Sequence, residues 1–507
     1  MILAIALAYY VILLVVVGYI CKKKIKTSSD FTKASGGLSW VMVTFGFVLI
    51  PLGAGHTISL WESAPGLGAS VMWWGILTGG VFLPLMMLWF GPWVRRTGLN
   101  TIPEIMEKIF GPKYSRLWSG CVVATWTGIG AAEVTATGAA IYGLSGGTLP
   151  FFPWCILIAL CLIVLYVYFG GMLQMVWLNV VNSIVMLIGS YLGMFLLTAW
   201  LVANVGGWEG VKGVFDAMGQ SHMLQNFHLS SGVWLGIIIP VVVLHCAAGA
   251  VAQNMNSPFF AAESETACRK GIFIGAGINA LASIPWIVMA LIVVAAPFVM
   301  AGIAAADVNK LAPIQLALTA LPKPIVALMM ISLMAATLST GGATIMANAN
   351  VITNDIIKRA WKPNMSDNTK LRLTKIMILV SALMFAFPAF SNAVIFPVFL
   401  WCFSFGIPVF VVYFMGLRVK SSRAAAWITT LVTFAVNFWW TFWTPEWATG
   451  VWAINMYPVT VVSIVLGVSL SLILPGRPGL LRKGGQFAAK EEVKYAAGVG
   501  QISEAVE

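Results

Sequence analysis

Apolar residues run through the chain in long blocks, separated by short polar stretches in which lysine and arginine predominate over acidic residues. A helix rises about 1.5 Å per residue, so about 20 residues cross a ~30 Å hydrocarbon layer. The pattern predicts thirteen membrane-spanning helices, near 2–21, 38–64, 68–93, 117–146, 150–170, 175–203, 232–252, 271–300, 324–350, 373–391, 393–416, 423–443 and 456–475. The first block has no basic residue before it and no small-residue cleavage site, so it reads as a retained span.

With the N-terminus placed outside, the segments 22–37, 94–116, 253–270, 351–375, 417–423 and 476–507 become cytoplasmic. They hold 5, 5, 2, 6, 3 and 5 Lys or Arg, which leaves only Lys212, Lys310 and Lys323 of the 29 outside. Retained positive charge sets orientation, and one missed span would invert every later loop. The chain is therefore expected in the plasma (inner) membrane, multi-pass, with its C-terminus cytoplasmic. Composition agrees: 60% of residues are hydrophobic and 9% charged, against roughly 25% charged in water-soluble domains. The net charge of +12 is spread over loop ends, which points to lipid headgroups and not to nucleic acid. Nothing indicates a protein partner. The 7 cysteines show no metal-ligand spacing and read as reduced packing residues. The tail 476–507 is too short for a signalling domain and is expected to be disordered.

Two spans look broken. The second contains Pro51-Leu52-Gly53-Ala54-Gly55, and the seventh contains Pro240 followed by Ala247-Ala248-Gly249-Ala250. Non-helical backbone at membrane depth is tolerated only against protein or a wet cavity. The two spans stand five apart and open two five-span units of opposite direction. Broken helices at matching places in inverted halves mark a midplane substrate and ion site.

Several stretches resemble the solute:sodium symporter family, which includes proline, sugar and sialic acid symporters. They are Ser29-Asp30-Phe31 through Gly36-Gly37-Leu38-Ser39-Trp40; Arg95-Arg96-Thr97-Gly98-Leu99-Asn100-Thr101-Ile102-Pro103-Glu104 with Phe110-Gly111; and Gly170-Gly171-Met172 with Val176-Trp177-Leu178-Asn179. Further on come Ala261-Ala262-Glu263-Ser264-Glu265 with Arg269-Lys270-Gly271, and Leu338-Ser339-Thr340 with Ile352-Thr353-Asn354-Asp355-Ile356. The resemblance implies an all-α membrane fold with a LeuT-type core of two inverted five-helix repeats, 38–203 and 232–416. An extra helix and cytoplasmic loop (1–37) precede the core, and two further helices (423–475) and the tail follow it. It also implies a sodium site on the carbonyls of Gly53, His56 and Ala336 and the hydroxyls of Ser339 and Thr340. A hard cation wants oxygen ligands, and an unwound turn frees carbonyls.

This chain departs from the family's pattern where some members hold a second cation. Asn179 stands in place of an Asp, Gly342 and Ala343 stand in place of hydroxyl residues, and Ser257-Pro258 stands where the family carries a Gln-Arg pair. One sodium is therefore expected, although Asn182 and Ser183 share the face of Asn179.

Acidic residues inside spans are costly and usually functional. Two occur, Glu133 in mid-span and Glu62 nearer an outer end, while His56 and His245 sit on the broken spans. Glu133 shares a helix face with Trp126, Gly130 and Thr137. The expected solute pocket combines Glu133, Trp126, Gly55, His245, Trp61, Trp73, Thr137 and Gln253. A carboxylate framed by aromatic rings suits an amine, quaternary ammonium or zwitterionic solute. The alternative is a small carboxylate recognised by histidine and a half-helix N-terminus, with sodium or proton coupling. No clustered set of titratable groups points to an enzyme, and no repeated pore ring points to a channel.

Overall fold

The computed structural model describes residues 2–53, 56–61, 68–224, 232, 234–299, 308–390 and 395–481. Among these, helices are α1 (Ile2–Lys22), α2 (Trp40–Val48), α3 (Gly68–Thr97), α4 (Ile102–Phe110), α5 (Pro112–Leu144) and α6 (Phe151–Tyr168). Next come α7 (Gly171–Asn204), α8 (Trp208–Ala217), α9 (Trp234–Val251), α10 (Gln253–Phe260), α11 (Glu265–Val299) and α12 (Val308–Ala320). The last six are α13 (Lys323–Lys358), α14 (Asp367–Ala389), α15 (Ile395–Ser404), α16 (Gly406–Arg418), α17 (Arg423–Phe442) and α18 (Met456–Ile473). Among the described residues each predicted span contains helix. Among the described residues, 10 helices are long and apolar enough to cross a membrane alone, and Trp40–Leu52 is a shorter apolar one.

Helix α13 is the centre of the molecule. In its most apolar window 78% of residues are buried inside the protein, against 22% for the α1 window. The difference follows from side-chain size. Between Met334 and Ala349, α13 carries small residues such as Ala335, Ala336, Ser339, Gly341, Gly342 and Ala343, all buried. Without a hydrophobic drive between helices in lipid, small side chains let backbones approach and pack. Helices α7 and α5 are its main neighbours. By contrast α1 turns Ile5, Ile12 and Tyr19 outward, as a lipid-facing helix must.

The first break is as expected. Helix α2 ends at Val48, a 3₁₀ turn covers Ile50–Leu52, and Gly53 is extended (φ −68, ψ −159). Helix resumes at 56, where the Gly53 carbonyl accepts the N–H groups of His56 and Thr57, each at 2.9 Å.

The second break lies elsewhere than expected. The stretch Ala247–Ala250 is regular helix, and the chain opens at Ala252 (φ −79, ψ 131) between α9 and α10. Pro240 stands where the π-helical turn Trp234–Ile238 passes into regular α-helix, and the helix continues through it. The carbonyls around the opening share a side-chain partner, although Gly249 and Ala252 also accept backbone N–H groups. Asn256 Nδ2 donates to Gly249, Ala250 and Ala252 at 3.0, 3.3 and 2.7 Å. At membrane depth, backbone acceptors without such partners cost several kcal/mol each.

Candidate cation and solute site

Interrupting α2 orphans carbonyls near its end, and neighbouring helices supply polar groups to several of them. Asn279 Nδ2 of α11 donates to Val48 O at 2.9 Å, and Asn179 Nδ2 of α7 reaches Phe45 O at 3.4 Å. Thr340 Oγ1 of α13 lies 3.0 Å from Leu49 O, 3.1 Å from Ile50 O and 3.3 Å from Ala336 O. A hydroxyl carries one proton and can donate to only one of the three. The arrangement is a knot of buried oxygens, joined by Ser339 Oγ, 2.7 Å from Ala336 O. Ser339, Thr340 and Ala336 are all buried. Oxygen-only groups of this kind suit a hard cation. Among the described residues no group of three or more His, Cys, Asp or Glu could hold a transition metal.

Ala336, Ser339 and Thr340 lie on one turn of α13. On the α2 side, the carbonyls facing them are those of Leu49 and Ile50. The Gly53 carbonyl caps the half-helix 56–61, and His56 lies within that half-helix. Its carbonyl points along the axis, away from the break. Gly53 contributes differently: a Cβ built on it would stand 2.3 Å from Glu133 Oε1 and 2.6 Å from Thr340 Oγ1. Both oxygens fill the space a side chain would take.

A second group lies among α3, the half-helix, α9, α11, α5 and α15. His56 Nε2 is 2.8 Å from Ser283 Oγ, and His56 and His245 are electrostatic neighbours. His245 Nδ1 donates to Val241 O at 3.0 Å, which fixes the orientation of the ring. The His245 ring meets Phe403 at 5.1 Å, and Phe403 meets Trp126 edge-on at 5.5 Å. The other candidates have partners of their own or lie on neighbouring elements. Trp61 donates to Trp286 O at 3.2 Å, Thr137 bonds Thr337 at 2.7 Å, and Trp73 is half-buried on α3. Gln253 is remote. Its Oε1 accepts Ile102 N at 2.9 Å and so caps α4, beside the Arg359 pairs to Glu104, Glu107 and Asp355. Gly55 and Glu62 lie outside the described residues.

At the place compared with a second cation site, a side chain takes up the room. Tyr166 Oη donates to Asn179 Oδ1 at 2.7 Å and accepts from Asn182 Nδ2 at 2.9 Å. Its ring abuts Gly342, where an added Cβ would meet it at 2.6 Å. Tyr166, Asn256, Asn279 and Ser283 escaped the sequence reading. The signal available was a polar side chain within an apolar block, which names no partner.

This architecture is that of LeuT-type transporters. It superposes on a substrate-bound, outward-open Na⁺-coupled sialic acid symporter with a TM-score of 0.77, at 16% identity over 94% of this chain and 99% of that one. A nucleobase-cation-symport-1 family transporter, closed with bromovinylhydantoin bound, gives 0.57 at 13% identity, over 88% of this chain and 95% of that one. Residues 31–427 match the sodium:solute symporter family, and the chain belongs to it. The sodium/glucose cotransporter of Vibrio parahaemolyticus is 22% identical over 70% of this chain and 68% of its own length. Sodium/myo-inositol cotransporter 2 of Rattus norvegicus is 26% identical over 37% of this chain. That match spans 28% of the rat protein's length.

Proposed function

We propose that this protein is a sodium-coupled symporter that imports a small organic solute by alternating access of its two five-helix units. One observation carries the reading: the Thr340 hydroxyl stands among the Leu49, Ile50 and Ala336 carbonyls at the break in α2. Sodium binding there would tie α13 to the broken helix, so that ion and solute stabilise one conformation together. The Ser339 and Thr340 hydroxyls and the Ala336 carbonyl are the ligands proposed on α13. Leu49 and Ile50 supply carbonyls on the other side, where Gly53 and His56 were expected. One sodium per turnover is proposed, because the Tyr166 hydroxyl, bonded to both Asn179 and Asn182, takes up the second location. The protein is proposed to sit in the plasma membrane with its N-terminus outside.

Of the two solute classes, a small carboxylate is favoured over an ammonium compound. Glu133 borders Gly53 and Thr340, which leaves His56, His245, Trp126 and Phe403 as the pocket's side chains. Purified protein screened by thermal unfolding against carboxylates, betaines, amines and sugars, with sodium or potassium, tests this. A ligand at ~100 Kd stabilises by about 2.7 kcal/mol. A carboxylate that stabilises only with sodium is expected; a betaine or amine doing so would reverse the solute assignment.

A further inference from the structure

We propose that the Glu133 carboxylate belongs to the cation site and is the negative charge that the transported sodium meets. This inference rests on the symport reading above.

Two independent observations place the carboxylate there. The first is the double contact at Gly53, whose missing side chain leaves room for Glu133 Oε1 and Thr340 Oγ1 on one side of the broken backbone. The second is the register of α5 against α13. Thr137 and Thr337 are hydrogen-bonded at 2.7 Å. One turn back along α5 from Thr137 is Glu133, and one turn forward along α13 from Thr337 is Thr340. Antiparallel neighbours in that register hold the two oxygens at one depth, facing the break. The aromatic group is displaced from this level. Trp126 precedes Glu133 by nearly two turns of α5, about 10 Å at a rise of 1.5 Å per residue.

The chemistry follows from the surroundings. Glu133 is 1% exposed, and an ionised carboxylate at membrane depth needs opposite charge or donors nearby. Its two oxygens can serve a protein donor on one side and a cation on the other. Sodium held only by carbonyls and hydroxyls sees partial charges. A carboxylate adds a full one in a medium of low dielectric, and hard cations prefer such oxygen. The loaded site then carries no net charge. Glu133 thus sets sodium affinity, and the solute pocket need not hold a permanent anion.

The test is a sodium chloride titration of the purified protein with no solute present, at constant ionic strength in choline chloride, read by thermal unfolding. Wild type, Glu133→Gln and Glu133→Asp are compared, with monodispersity checked by size exclusion. Loss of one charged partner should raise the half-saturating sodium concentration at least tenfold in Glu133→Gln, the equivalent of about 1.4 kcal/mol. Glu133→Asp, which keeps the charge with a shorter reach, should fall between, and it answers the question if the Gln variant does not fold. A wild-type sodium response in folded Glu133→Gln, or in Glu133→Asp where the Gln variant does not fold, overturns the inference and leaves the symport reading intact. Absence of any response in wild type overturns both.

Discussion

The Tyr166 hydroxyl bridges two asparagines of α7, donating to Asn179 at 2.7 Å and accepting from Asn182 at 2.9 Å. Helices α6 and α7 are thereby joined by neutral groups beside Gly342. A second sodium would have to displace the Tyr166 hydroxyl from both amides and replace its own hydration with neutral oxygens alone, which is unfavourable. Sodium activation of uptake should follow a Hill coefficient near one, and flux ratios in proteoliposomes should give one sodium per solute. A ratio of two would require a site elsewhere.

Removing that hydroxyl should cost stability without changing the stoichiometry. Tyr166→Phe strands a buried Asn179 oxygen and an Asn182 N–H, each worth about 1–3 kcal/mol when unsatisfied. A lowered thermal midpoint in detergent with an unchanged Hill coefficient is the expected pair of results. A raised Hill coefficient would show that the hydroxyl had been excluding a cation.

Gly53 should tolerate no side chain. The Cβ of Gly53→Ala would lie 2.3 Å from Glu133 Oε1, so the backbone or the carboxylate must move. Uptake and sodium stabilisation should both be lost. Gly120→Ala on α5, where an added Cβ meets nothing within 4 Å, should behave as wild type and serves as control. Equal activity in the two variants would remove Gly53 from the site.

Asn256→Ala should destabilise the second break. Its amide bonds the Gly249, Ala250 and Ala252 carbonyls, of which Gly249 also accepts Ala252 N–H and Ala252 also accepts Asn256 N–H. The loss is therefore that of the amide's own hydrogen bonds, about 0.5–1.5 kcal/mol each. Reduced thermal stability is expected, with rescue by Asn256→Gln partial at best because its longer side chain displaces the amide. A neutral Asn256→Ala variant would mean the carbonyls are served by water.

The apolar helices and the first break were legible because each leaves a one-dimensional mark: block length and Pro-Gly clustering. The second break was not. Its cues, Pro240 and Ala247–Ala250, are compatible with regular helix, and the actual opening at Ala252 depends on Asn256 reaching back to it. Gln253 shares a segment with this break, yet its orientation toward Ile102 depends on a loop 151 residues away in sequence. The location of Glu133 was equally out of reach. Its helix face listed Trp126 as a neighbour, whereas the Thr137–Thr337 register that sets its depth joins residues 200 apart.

Direct binding of radioactive sodium to the purified protein, in the absence of solute and with potassium as the competing ion, tests the central claim most directly. The account predicts one saturable, sodium-selective site per chain that disappears when Ser339 and Thr340 are both replaced by alanine, in a protein that still elutes as a single species. Undiminished binding in that double variant, or no saturable binding to wild type, would contradict it.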